Sequence, residues 1–391
     1  MSTYSGYATP PRPLIERSLR RLARASFAHR KGIVVVTGLF VVVAGFFGGN
    51  VSSRLSQGGF DAPSEQSVHA ANVLASEFHN GTDNIILLVH ATSGTVDSAA
   101  VAAAGAELTR ELAAQPHMAN VMSYWSLGAV PILRTANKSE ALVVGRITGD
   151  QNQVVQREPV IAAALSHAGG PVTVKVGGFG AAFHEVNTVV EHDLFRAEAF
   201  AVPLTFLLLL FVFGSLVAAA MPLAIGAVAV VGTLLTLRLI NGVTPVSVFA
   251  VNLTTVMGLG LAIDYSLFIV SRFREELHAG RDVQTALEET LVHAGRTAAG
   301  SALTVAAAVS ALLVFPLMFL RSFAYSGIAV SVLAGVASLV VLPAVLALLG
   351  PRINSVAVWR RSILPPLDGF WSKMARAVMR RPVVVIAGVC V

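Results

Sequence analysis

The sequence is poor in charged residues and almost free of cysteine. Charged side chains make up 13% of the 391 residues, whereas a soluble domain carries about a quarter. The single cysteine, Cys390, excludes a disulfide framework and a cysteine-ligated metal site within this chain. The sequence also lacks the G-x-x-x-x-G-K-[ST] phosphate loop, a dinucleotide-binding glycine pattern and metal-binding histidine spacing. Neither an ATP-driven pump nor a metal or other cofactor is therefore predicted.

Long apolar runs, by contrast, dominate the sequence. Hydrophobic residues account for 54% of the chain, and the mean hydropathy is +0.70. Runs of roughly 18 residues or more are long enough to cross the hydrocarbon core of a bilayer as helices. We predict an α-helical polytopic membrane protein whose last five spans form a bundle over residues 197–350. The predicted spans are residues 32–50, 197–213, 217–240, 246–270, 297–319 and 323–349.

The basic residues predict how the chain is oriented in the membrane. The net charge of +6 does not indicate nucleic-acid binding, because the basic residues concentrate beside the spans, in a leader at 1–31 and a link at 351–382. Such flanks stay on the cytoplasmic side, which predicts a multi-pass inner (plasma) membrane protein with a cytoplasmic N-terminus. A cleaved signal peptide is the alternative for the first run, but the leader is long for one and no A-x-A-like site follows.

Residues 51–196 have the composition of a soluble domain and carry more acids than bases. Their apolar patterns predict strands alternating with helices, which indicates an inserted extracytoplasmic α/β domain with its sheet covered on one face. The predicted strands are residues 84–90, 119–125, 141–148 and 172–177, and the predicted helices are residues 96–114 and 151–167.

Residues 383–391 are apolar but too few to cross a bilayer, which takes about 20 residues. We expect them to begin a seventh span. The chain is then one half of something larger, a truncated product or the product of a split gene.

One acid, Asp264, is expected to be buried in the membrane. It lies midway along the apolar stretch VMGLGLAIDYSLFIV in the fourth span, where a charge costs at least about 2.5–3.5 kcal/mol. Burial disfavours the charged carboxylate, so this acid is suited to taking up and releasing protons. Tyr265 can donate to it, and Gly260, one turn earlier on the same face, leaves room for a helix or water. The alternative is a structural acid hydrogen-bonded to a neighbouring span.

Two small-residue patterns lie in the following spans. Ser301 and Thr304, within GRTAAGSALT, can each offer a hydroxyl to Asp264, although such residues usually bond their own or a neighbouring backbone. Gly327, Ser331 and Gly335 recur every four residues, a spacing that favours close helix packing.

Three segments resemble one transporter family. GLGLAIDYSLFIVSRFREE resembles the fourth-span signature of the MmpL branch of the resistance-nodulation-division (RND) transporters, SQGGFDAPSEQSVHAA resembles its segment after the first span, and GRTAAGSALT its fifth span. The resemblance implies a proton-driven exporter of lipids or other hydrophobic molecules, typically from actinobacteria, with a porter-like outer domain. It also implies a proton relay at Asp264 and Tyr265 with a supporting hydroxyl at Ser301.

Members of this family consist of two such halves, so the resemblance implies a partner: a second transporter half or a homologous chain. Transport sites usually form where the repeats meet. Two other interpretations stay open. One is a non-transporting sensor or scaffold, because Patched-like sterol-sensing proteins share the G-x-x-x-D span, and the other is an inactive remnant.

Overall fold

The computed structural model describes residues 14–60, 62, 64–78, 81–166, 170–358 and 370–380. Six helices within these ranges are long and apolar enough to cross a membrane, and a small sheet lies between the first and second of them. The predicted fold class, a helical polytopic membrane protein with an inserted α/β domain, is confirmed. The first part of the leader and residues 383–391, predicted to begin a seventh span, lie outside the described residues.

The described residues begin with two consecutive helices. Helix α1 (Leu14–Ala28) buries one edge, at Leu19, Ala23 and Ser26, and α2 (Arg30–Gly48) is the first candidate span. Only His29 separates them. The three buried positions of α1 follow helical spacing, so one side of the predicted leader packs against the bundle.

The inserted α/β domain, which we call the outer domain after its predicted location, has a split β-α-β topology. Its elements are α3 (Gln66–Ser76), β1 (Ile85–Ala91), α4 (Ala99–Ala114), β2 (Met118–Ser123), β3 (Glu140–Ile147), α5 (Gln151–Leu165) and β4 (Val172–Gly177). The strands lie in the order β2-β3-β1-β4, and every neighbouring pair is antiparallel. All four strands begin and end within two residues of the predicted positions, because each is a short segment rich in apolar residues.

Helix α6 (Phe179–Phe213) joins the outer domain to the membrane without a break. Its 35 residues correspond to a length of about 52 Å at 1.5 Å per residue, well beyond the hydrocarbon thickness. The domain boundary expected after residue 196 therefore falls inside one continuous helix, and the apolar run at 197–213 is only its C-terminal half.

The remaining helices form the bundle. They are α7 (Leu216–Asn241), α8 (Phe249–His278), α9 (Val283–Thr290), α10 (Arg296–Ser310), α11 (Met318–Val336) and α12 (Leu342–Leu349), followed by α13 (Phe370–Arg380). Short π-helical segments, Leu291–Gly295 and Ala337–Val341, join α9 to α10 and α11 to α12, so each pair forms one long helix. Asp282 caps α9, since its carboxylate accepts hydrogen bonds from the Gln284 and Thr285 amides.

Helix α8 lies at the centre of the bundle, packed on α7 and α11, while α10 packs mainly on α11. Gly258 permits the close approach of these helices, because a Cβ atom built there would lie 2.6 Å from Val230 Cγ2 and 3.1 Å from Val330 Cγ2. Helices α8 and α10 are therefore neighbours that make few contacts with each other.

Candidate functional site

Helix α8 presents two contrasting faces. Val256, Gly260, Asp264 and Phe268, spaced every four residues, are all exposed, whereas the opposite side is buried against α7 and α11. Because residues four apart share a helix face, they form one uncovered stripe with the acid in its middle. Asp264 was expected to be buried, but the described residues of this chain do not cover it.

Tyr265 points away from that stripe and is only 2% exposed. Its hydroxyl oxygen is buried without a hydrogen-bond partner among the described residues. The side chains of Ser301, from α10, and Asp264 interact electrostatically with this hydroxyl, although neither forms a hydrogen bond with it. The structure thus leaves a buried phenol hydroxyl unsatisfied beside the acid in the sequence.

The two predicted hydroxyls of α10 differ in what they contact. Both Ser301 and Thr304 are exposed, on a side of α10 that also carries Gly300. The Thr304 hydroxyl donates to the Gly300 carbonyl at 2.8 Å, which is the backbone bond named above as the alternative. The Ser301 side chain interacts electrostatically with Tyr265. Among the described residues, neither the Ser301 nor the Thr304 hydroxyl is hydrogen-bonded to Asp264.

Gly260 borders open space. A Cβ atom built there would have no heavy atom within 4 Å, and the residue lines a cavity of about 260 Å³ between α6 and α8. Access to the stripe that carries Asp264 is therefore unobstructed at this position.

The small-residue stripe of α11 faces α10. A Cβ atom on Gly327 would lie 2.5 Å from Val309 Cγ1, and one on Gly335 would lie 3.0 Å from Ala302 Cβ. Ser331, between them, is fully buried, and its hydroxyl has no hydrogen-bond partner among the described residues. The two glycines lie where these helices come closest, so α10 and α11 form a tight pair.

A second acid in a membrane span was missed by the sequence interpretation. Glu198 lies within α6, the second candidate span, and its Oε1 atom is buried with no hydrogen-bond partner among the described residues. It is the second residue of the predicted span 197–213 and stands two residues after Arg196, at the polar edge of the apolar run. Asp264 is therefore not the only acid to consider.

Two arginines of the leader form ion pairs with α9. Arg20 Nη1 donates to Glu289 Oε1 at 2.9 Å, and Arg24 Nε donates to Glu288 Oε1 at 2.9 Å. These pairs join α1 to α9, which continues into α10. They connect the N-terminal helix with the span that carries Ser301.

The structure is that of a polytopic membrane protein built like a transporter. It combines the helical bundle, the split β-α-β domain inserted after the first span, and the acid–tyrosine pair on the central helix. A family model described as the MMPL family matches residues 59–385, and the chain belongs to that family.

Curated relatives agree. The chain is 31% identical to the trehalose monomycolate exporter MmpL3 of Mycolicibacterium smegmatis over 399 residues. That alignment covers 91% of this chain and 39% of the relative. The chain is 32% identical to MmpL3 of Mycobacterium tuberculosis, covering 94% and 42% of the two chains. It is also 32% identical to the mycolic acid-containing lipids exporter MmpL11 of M. smegmatis, covering 94% and 38%. The chain spans about two fifths of the length of these relatives.

Proposed function

We propose that this chain is the N-terminal half of a proton-motive-force-driven exporter of lipids or other hydrophobic molecules across the inner membrane, with its N-terminus in the cytoplasm. Relatives named as exporters of trehalose monomycolate and of mycolic acid-containing lipids support the substrate class. The chain spans 39% and 38% of these two proteins, so the proposal includes a second half or a homologous chain as partner.

The observation that carries the proposal is the position of Asp264 on the uncovered stripe of α8, beside Tyr265. Ionisable residues within membrane spans face bundle interiors or water-filled paths. A second half that packs on the stripe of α8 and on the exposed side of α10 would enclose Asp264, Tyr265 and Ser301 together. This arrangement supports a proton path at the contact between halves.

Protonation supplies the driving force in this mechanism. The neutral acid loses most of its desolvation cost, so a closed, dry interface favours protonated Asp264. The carboxylate requires hydrogen-bond donors, a role that the proposal assigns to Tyr265 and Ser301. Each proton that moves down a potential of 100 mV supplies about 2.3 kcal/mol, enough to change the balance between two arrangements of α8.

The test is export in cells that carry this chain together with its second half. We expect Asp264→Asn to abolish export while the protein still inserts, because the amide keeps the shape of the side chain but does not take up protons. Asp150→Asn is the matched control, since Asn also caps a helix well and Asp150 caps α5 in the outer domain.

A protonophore should stop export by the unaltered protein as completely as Asp264→Asn does. Undiminished export in either condition would refute the proposed proton coupling. A sensor or scaffold would instead keep its partner binding in the presence of the protonophore.

A further inference from the structure

Helix α1 packs against two π-helical segments that lie side by side. One is Leu291–Gly295, which leads into α10, and the other is Ala337–Val341, which joins α11 to α12. The two segments also contact each other, and a Cβ atom built on Gly295 would lie 3.2 Å from Leu339 Cδ2. We call the contact of α1 with these two segments the π joint.

A π-helical segment is a point at which a helix can change its hydrogen bonding. Such segments are rare, occur frequently at functional sites and accompany kinks. Because α-helical hydrogen bonding is the ordinary state, a π-helical segment persists where the surrounding packing favours it. Both segments of this kind among the described residues are in contact with α1. The position of α1 therefore affects both.

The apolar contact of α1 with the bundle is small. Leu19 and Ala23 are buried, and Phe27 is partly buried against the bundle core. The third buried residue of α1, Ser26, has no hydrogen-bond partner for its hydroxyl among the described residues, and neither has Ser338 in the second π-helical segment. Buried hydroxyls without partners cost free energy. Apolar packing alone therefore stabilises the docked position of α1 only weakly.

The ion pairs between α1 and α9 supply the rest of the contact. Arg20 Nη1 donates to Glu289 Oε1 at 2.9 Å, and Arg24 donates from Nε at 2.9 Å and from Nη2 at 3.2 Å to the two oxygens of Glu288. The Glu288 side chain is only 12% exposed, so solvent screens this pair less than an ordinary surface pair. Both acids lie in the helical turn just before Leu291. The pairs therefore join α1 to the residues that enter the first π-helical segment.

We infer that Arg20 and Arg24 are positioning residues for Ser301. Their ion pairs hold α1 on the π joint, which keeps Leu291–Gly295 in its π-helical form, and this form places Ser301 beside Tyr265. When the pairs break, the segment can convert to α-helical hydrogen bonding and Ser301 leaves that position. The inference rests on the proposed function for the role of Ser301, but the positioning itself requires neither export nor a second half.

The experiment measures the position of α10 at the residue after Ser301, in the full chain in lipid nanodiscs. A Cβ atom on Gly335 of α11 would lie 3.0 Å from Ala302 Cβ, close to the roughly 3.5–4.5 Å that a disulfide requires. Ala302→Cys and Gly335→Cys are combined with Cys390→Ser, and the rate of disulfide formation is measured. Hydrogen exchange of residues 291–301, in chains without the two new cysteines, gives a second readout that does not depend on how Gly335→Cys folds.

Reversing the charge of the two arginines tests the ion pairs. Arg20→Glu with Arg24→Glu places like charges opposite the acids of α9. We expect disulfide formation to slow, and amide exchange at 291–301 to accelerate, by about tenfold or more, the effect of losing one hydrogen bond to a charged group. Adding Glu288→Arg with Glu289→Arg makes the charges opposite again and should restore both rates, which a general loss of stability would not allow.

Arg17→Glu with Arg21→Glu is the matched control, because both arginines are exposed on the same helix, and both rates should stay unchanged. Unchanged rates after the reversal of Arg20 and Arg24, an equal effect in the control, or no recovery on the exchange of charges would overturn the inference. Asp264→Asn should leave both rates as they are, since it alters the acid and not the π joint. Neither rate depends on export, so the export test of Asp264 stands or fails separately.

Discussion

Ser56 pairs with Ser247 in a short parallel β-bridge. The Ser56 amide donates to the Val246 carbonyl at 2.8 Å, and the Val248 amide donates to the Ser56 carbonyl at 2.9 Å. The Ser56 hydroxyl in turn donates to Asn152 Oδ1 at 3.1 Å. A continuous set of hydrogen bonds thus joins the start of α8, the helix that carries Asp264, to the start of α5 in the outer domain.

Asn152→Ala should weaken this connection. Asn152 Oδ1 accepts from the Ser56 hydroxyl and, at 2.6 Å, from the Gln57 amide, so its loss removes two hydrogen bonds at a cost of about 1–3 kcal/mol. We expect a lower melting temperature and reduced export, with membrane insertion intact. Asn152→Asp retains an acceptor oxygen and should behave like the unaltered protein. Identical melting of Asn152→Ala and the unaltered chain would contradict the coupling role.

Gly59→Ala should destabilise the same junction for a steric reason. Gly59 has a φ of +101° and its carbonyl accepts from the Phe319 amide at 3.0 Å, while a built Cβ would lie 2.3 Å from Met318 Cε. Gly128→Ala is the control, since Gly128 also has a positive φ (+77°) but no atom near its Cβ position. Backbone strain alone costs about 1–3 kcal/mol, so thermal unfolding should show a larger loss for Gly59→Ala than for Gly128→Ala. Equal losses would assign the effect to the backbone only.

Two glycines of one span should respond differently to the same substitution. Gly258→Ala inserts a methyl group against Val230, and overpacking of this kind costs about 1–3 kcal/mol. Gly260→Ala meets no atom within 4 Å and should leave thermal stability in detergent unchanged or slightly raised. Equal melting temperatures of the two variants would show that α8 does not pack closely on α7.

Tyr265→Phe separates stability from function at the proposed relay. The phenol hydroxyl is buried and unbonded among the described residues, so its removal should not lower stability. If it passes protons to or from Asp264, export should fall at least tenfold while the melting temperature stays the same. Full export by this variant would remove Tyr265 from the relay and leave Asp264 to act without it.

The burial of Glu158 predicts that the stability of the outer domain depends on pH. Burial raises the pKa of Glu158 above its ordinary value, and His184 partly opposes the shift. The folded state therefore holds this proton more tightly than the unfolded state. Stability is retained below the unfolded pKa, near 4.3, and falls as the pH rises through the higher folded value. Glu158→Gln should flatten this part of the pH profile.

Trp125, the one tryptophan between residues 51 and 196, reports this unfolding once Trp359 and Trp371 are replaced by Phe. The Glu158→Gln change would be measured in that background from pH 4 upwards. An unaltered slope in the variant would show that another group causes the pH dependence.

The spans and strands could be predicted because their signals are local. The long apolar runs of the spans and the short apolar segments of β1–β4 each depend on a few adjacent residues. The start of α6 could not be predicted from its local sequence. Its first half is polar and packs on α5, so its helical structure depends on a tertiary contact. The side-chain directions of Tyr265 and Ser301, and the enclosure of Glu198, depend on which helices pack together, and no short stretch of sequence encodes that.

The π-helical segment Leu291–Gly295 adds one residue to the long helix that ends in α10. One residue corresponds to about 100° of rotation at 3.6 residues per turn. The side chains of α10 are therefore rotated about the helix axis relative to those of α9. The number of residues between Asp282 and Ser301 thus sets which side of α10 meets α8. Deletion of His293 alone would turn Ser301 away from Tyr265, although the deletion removes no side chain of the site.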